Sequence, residues 1–112
     1  MRTVIVWALA AATLLTFSKA TNANDIFVTA FGNSFEMLLI QKHGSNDLDL
    51  SVIGDYHIIE IVQDGDGNIA DITIDGTYPT DLYLYQNGNN LSYILNQYCT
   101  NSAGCAINVV QY

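Results

Sequence analysis

Asp64-Gly65-Asp66-Gly67-Asn68 places oxygen-bearing side chains on alternate residues, a spacing with which a turn can wrap a calcium ion. The position an EF-hand gives to glycine holds Ile69, and position twelve holds Asp75 in place of Glu. A helix would have to follow, yet IADITID alternates like a strand. A calcium-binding acidic turn is thus the alternative to a plain solvated one. His43 and His57 could form a metal pair or act as a base, but each stands at a turn, where a solvated imidazole is the simpler role. No Ser aligns with a His and a carboxylate, so the sequence predicts no catalytic residues, no cofactor, no metal centre and no enzyme. Five glutamines remain: Gln41, Gln63, Gln86, Gln97 and Gln111. A primary amide carries two donors and one acceptor, so its chemistry is to hydrogen-bond to a copy of itself.

Their spacing points to the elements that must carry them. Gly32, Gly44, Gly54, Gly65, Gly76 and Gly88 lie 12, 10, 11, 11 and 12 residues apart. One position recurs just before most of these glycines, filled by Ala30, Gln41, Val52, Gln63, Ile74 and Gln86, and Gln97 and Gln111 continue the series. Two and four residues before each such position from Gln41 onward stand Met37/Leu39, Leu48/Leu50, Ile59/Ile61, Ala70/Ile72, Leu82/Leu84, Tyr93/Leu95 and Ile107/Val109. All are apolar, and Asp49, Glu60, Asp71 and Asn108 fall between them, so the alternation has the period of a strand. Each unit is a strand of five to seven residues followed by a turn. The turn residues are Gly44, Asn46, Gly54, Gly65, Gly67, Asn68, Gly76 and Gly88.

An eleven-residue unit cannot bury its own apolar face. Two units make a flat strand-turn-strand layer of about 22 residues, and layers stacked at about 4.8 Å set like residue above like. Apolar columns then form a dry interior, and the five glutamines form amide ladders whose buried polar atoms bond to the next layer. The predicted fold is all-β, a short β-solenoid of about seven strands with cross-β stacking, spanning residues 37–112 after an N-terminal segment, 24–36. The first and last layers should leave unpaired edges, since nothing in the sequence caps them.

Residues 1–23 read as a signal peptide: a positive start at Arg2, the apolar run TVIVWALAAATLLTF, and a small-residue stretch with cleavage after Ala23. The apolar run is shorter than the roughly 20 residues of a spanning helix, so the chain is expected to be exported and not membrane-embedded. Export sets Cys99 and Cys105 in an oxidising compartment, where two thiols favour a disulfide. A metal pair is the alternative, although no His lies nearby and the spacing is not CxxC. From Asn24 onward one lysine faces eleven carboxylates, a net charge of −10. That excludes the basic footprint of a nucleic-acid binder. Asp47, Asp49, Asp64, Asp66, Asp71 and Asp75 fit the role of gatekeepers that slow premature stacking. Tyr83 and Tyr85 fall on the outward face of one strand.

The repeat resembles that of curlins, the subunits of the bacterial amyloid fibres called curli. Residues 63–70 read QxGxGNxA, and residues 54–63 match the half-repeat GxxNxAxIxQ with His57 at the Asn position. Gln41 with Gly44 and Asn46, and Gln86 with Gly88 and Asn90, match with one residue displaced. The ending AINVVQY also looks like a terminal curlin strand. The similarity covers roughly residues 30–112. The departures are Val52 and Ile74 at ladder positions, Thr80 at an Asn position, the extra residue at Tyr78-Pro79, and a cysteine-bearing unit stretched by three residues. The resemblance implies self-association into fibres, other curlin subunits as partners and a curli-type outer-membrane export apparatus. It also implies a secreted, cell-surface fibre acting in adhesion and biofilm. The rival reading is a monomeric secreted acidic binding domain, calcium-dependent if its acidic turns take the ion.

Overall fold

The computed structural model describes residues 3–11, 15–19, 25–30 and 34–112, and among these no helix occurs. The expected cleavage site at Ala23, and Gly32, lie outside the described residues. Ten strands follow one another: β1 (Thr3–Ala11), β2 (Leu15–Lys19), β3 (Asp25–Ala30), β4 (Ser34–Lys42), β5 (Asp47–Ser51), β6 (His57–Asp64), β7 (Ile69–Ile74), β8 (Thr80–Asn87), β9 (Ser92–Gln97) and β10 (Cys105–Gln111). They form two sheets, ordered β1-β4-β6-β8-β10 and β2-β3-β5-β7-β9. From β3 onward successive strands fall in opposite sheets, and within each sheet all neighbours are parallel. The chain therefore winds as a solenoid of two-strand layers.

The alternation of each strand dictates this winding. Residues of one parity are buried along β4 to β8, those of the other are exposed or half-buried, and each turn carries the chain across to the opposing sheet. About 22 residues later it returns to the same sheet one layer on. The parallel register then stacks Met37, Ile59, Leu82 and Ile107 in one column and Leu39, Ile61, Leu84 and Val109 in the next. The opposing sheet contributes Ile26, Leu48, Ala70 and Tyr93, beside Val28, Leu50, Ile72 and Leu95. These residues pack into one hydrophobic core.

Insertions are absorbed in turns. Gln41 pairs with Gln63 after 22 residues, and Gln63 with Gln86 after 23, the added residue falling in the turn that holds Tyr78-Pro79. A proline has no N–H to give a ladder, and Pro79 stands one residue before β8 begins. Among the described residues no helix is long and apolar enough to cross a membrane.

The structure departs from the sequence reading at its N-terminal end. The solenoid has eight parallel strands in four layers, one strand more than the count of about seven. The additional strand is β3, whose Ile26 and Val28 lie in register with Leu48 and Leu50. Phe27 points outward at 41% exposure, so three consecutive apolar residues blur the alternation that marks the other units. Nor is the N-terminal edge open: β1 runs antiparallel along β4, and β2 antiparallel along β3.

Register fixes which substitutions matter. Ile61→Ala, at a fully buried column position, should cost about 2–5 kcal/mol. Ile58→Ala, on the exposed face of the same strand, should cost less than about 1 kcal/mol. Urea-unfolding midpoints of the two variants measure the difference.

Candidate functional site: the glutamine ladder and the open edge

Parallel pairing places Gln41, Gln63, Gln86 and Gln111 in one column at the ends of β4, β6, β8 and β10. Gln41 Nε2 donates to Gln63 Oε1 at 2.7 Å, Gln63 Nε2 to Gln86 Oε1 at 2.8 Å, and Gln86 Nε2 to Gln111 Oε1 at 2.8 Å. The second N–H also has a fixed task. Gln63 donates to the Asp47 carbonyl, Gln86 to that of Ile69 and Gln111 to that of Ser92, at 3.1–3.2 Å. Each amide thus ties its layer to the next and to the start of a strand in the opposing sheet. Gln41, Gln63 and Gln86 are buried, where an amide without partners would be costly.

Gln97 does not belong to this ladder. Its column in the other sheet runs through Val52 and Ile74, and the β7–β9 register sets Gln97 beside Ile74. Successive eleven-residue units alternate between sheets, so like residues stack only at every second unit. Gln97 is one unit out of phase with the other four.

The turns carry a second set of interlayer bonds. Asn46 Oδ1 accepts from the Asn68 backbone N–H at 3.1 Å, and Asn68 Oδ1 accepts from that of Leu91 at 3.0 Å. Both asparagines are buried. Leu91 has no polar side chain to continue this column. At the opposite corner His57 does the work of an asparagine. It is 1% exposed rather than a solvated turn residue, and its Nδ1 accepts from the Thr80 backbone N–H at 3.2 Å. That acceptor exists only in the neutral imidazole. Its Nε2 makes no hydrogen bond of good geometry, nor does Thr80 Oγ1. Burial pushes the His57 pKa below its ordinary 6.5, against the opposing pull of the Gly54 backbone and of Asp55 and Asp81. The repeat pattern carries the signal for this role, because His57 occupies its Asn position.

The glycines allow the turns to stack. Gly65 adopts φ +132°, and a Cβ there would collide with the carbonyl oxygen of Gly88 in the next layer. Gly67 follows at φ +72°. Gly44 donates its N–H to Asp66 Oδ1 at 2.7 Å, and Asp66 receives Asn89 Oδ1 on its own N–H at 3.0 Å. Asp64 lies 3.8 Å from Lys42 Nζ and 2.7 Å from His43 Nδ1. Three carboxylate oxygens of the acidic turn thus face groups of the preceding layer. Gly54 and Gly76 occupy the turns of the other corner, close against each other, and Gly88 closes the same turn column as Gly65. Asp49 and Asp71 are outward register partners, two like charges on adjacent strands. Tyr83 is exposed and Tyr85 half-buried on the outer face of β8.

The last described layer is less covered than the others. Tyr93, Leu95, Ile107 and Val109 are only half-buried, and among the described residues β9 and β10 each have a neighbour on one side only. Burial raises the Tyr93 pKa. Cys99 and Cys105 form a disulfide with Cα atoms 5.9 Å apart, joining the end of β9 to the start of β10 across the longest insertion. It staples the last layer to itself. No protein-family model, curated protein or solved structure matches this chain.

Gln63→Ala leaves the Gln86 Oε1 atom and the Asp47 carbonyl without this donor and should cost about 3 kcal/mol in urea unfolding. Gln97→Ala, outside the ladder, should cost less than about 1 kcal/mol. A second expectation concerns acid. The folded His57 binds its proton less readily than the unfolded one, so its contribution is intact above pH 6.5 and declines as the pH falls below that value towards the folded pKa. His57→Asn, which keeps an acceptor at the corner, should flatten stability against pH in this window; an unchanged slope would contradict the role given to Nδ1.

Proposed function

We propose that this chain is a secreted fibre subunit of the curlin kind, which builds or nucleates an extracellular amyloid fibre by templated strand addition. The observation that carries this reading is the open β9/β10 edge. It ends the parallel stack of the described residues, with half-buried apolar side chains and Gln111 as the last amide of the ladder. A sheet edge of unpaired N–H and C=O groups is a template for another strand. In continued register, β10 of one copy pairs with β4 of the next and β9 with β3. Ile107 then meets Met37, Val109 meets Leu39, Gln111 meets Gln41, Tyr93 meets Ile26 and Leu95 meets Val28. Every such contact repeats a residue class already stacked within the chain.

The partners on this reading are copies of this chain and other curlin subunits, with delivery through a curli-type outer-membrane export apparatus. Cell adhesion and biofilm formation are the processes served, and the exposed outer face of β8, with Tyr83, is a surface for contact between filaments. The acidic turn supports a calcium-dependent monomer less well, because Asp64 and Asp66 already serve Lys42, His43 and the Gly44 amide.

Chain processed after Ala23 should form thioflavin-positive fibres after a lag. Their fibre diffraction should show a spacing of about 4.8 Å along the axis, and preformed fibres should shorten the lag. A protein that stays monomeric for days at high concentration, with or without seeds, would rule out the fibre reading.

A further inference from the structure

The two ends of the solenoid are built differently. At the C-terminal end β9 and β10 offer free edges. At the N-terminal end both edges are occupied by the segment that precedes the repeats. β1 pairs with β4 over nine positions, from Thr3 beside Lys42 to Ala11 beside Ser34, and β2 pairs with β3 over five. These are the two antiparallel pairings of the described residues, and every pairing within the repeats is parallel. The β4 and β3 groups that β1 and β2 engage are those a second copy would need. A backbone N–H or C=O in a ladder cannot serve two strands on one side.

From these pairings we infer that β1 and β2 form an intramolecular cap which blocks stacking until it is removed. The inference rests on the fibre reading above, and it concerns which end can be used and when. Beyond occupying the edge, the cap fails to renew it. Its register places Val4, not a glutamine, beside Gln41. Its strands also run opposite to those an incoming copy would match. A capped chain keeps one usable end, β9/β10. It can dock on the exposed β3/β4 end of a growing stack, but then presents an edge of the wrong direction and sequence. In a mixture it acts as a chain terminator. One peptide bond controls the device, since the cleavage expected after Ala23 falls between β2, ending at Lys19, and β3, beginning at Asp25. A single cut frees both edges.

The test uses the full chain with a specific protease site inserted between Ala23 and Asn24, compared intact and cut. The intact chain should form no thioflavin-positive fibres, and the cut chain should form them. Intact chain added as a minor component should arrest growth of cut-chain fibres at one end, as seen by imaging single fibres. Val6→Pro/Trp7→Pro in the uncut chain, which breaks the β1 ladder without cleavage, should restore assembly. Equal assembly by intact and cut chains would overturn the cap. If the cut chain forms no fibres either, the fibre reading fails, and the cap is then judged by hydrogen exchange alone. The β4 amides facing β1 should lose protection on cutting, and unchanged protection would refute it.

Discussion

A glutamine side chain at the end of a strand has two N–H groups and one carbonyl, and in Gln63 and Gln86 each is assigned. One N–H goes to the glutamine of the next layer, the other to the backbone where a strand of the opposing sheet begins, and the carbonyl accepts from the layer before. The pattern can repeat only if layers are separated by one strand spacing and if a glutamine returns to the same place each turn. It therefore imposes the period of about 22 residues, the parallel direction and the register. The apolar columns supply most of the burial. Alone they would tolerate a slip of two residues along the strand, which keeps the same face inward. The ladder does not, because a slip by two would put Gln63 beside Leu84 rather than Gln86 and leave a buried amide without partners.

Much of this was legible in the sequence. The fourteen apolar positions, the turns and the strand period all follow from alternation broken at regular intervals, because burial on one face leaves that mark. What escaped was information that depends on which units share a sheet. Gln97 has the right residue type at the right eleven-residue interval, yet lies in the sheet whose matching column is Val52 and Ile74. His57 carries a side chain normally solvated at a turn, and only its place in the register shows that Nδ1 stands where an asparagine oxygen would. β3 was obscured by Phe27, an outward aromatic that interrupts a readable alternation. The pairing of β1 and β2 left no trace in local pattern, since an apolar run of that kind reads as an address before it reads as a strand.

The two ends differ in direction, cover and residue type, so the molecule is polar along the stacking axis. Its ladder is polar as well: every glutamine-to-glutamine bond runs from an N–H of the earlier layer to the carbonyl of the later one, and Gln111 ends the series as the acceptor from Gln86. The disulfide sits beside that end and limits fraying of the layer that would receive a neighbour. Negative charge works in the other direction. Outward register partners such as Asp49 and Asp71 repel across one strand spacing, and an assembled stack would multiply that repulsion. Assembly on this account is a contest between desolvated columns with ladder bonds and a surface of like charge.

The central claim is that the last layer of one copy continues into the first layer of the next as layers continue within the chain. Solid-state NMR on fibres grown from a mixture of two differently labelled preparations tests it directly. The account predicts intermolecular contacts between the side chains of Gln111 and Gln41, and between those of Val109 and Leu39. Intermolecular contacts of Gln63 with Gln63 would mean that copies stack residue upon identical residue, and would contradict it.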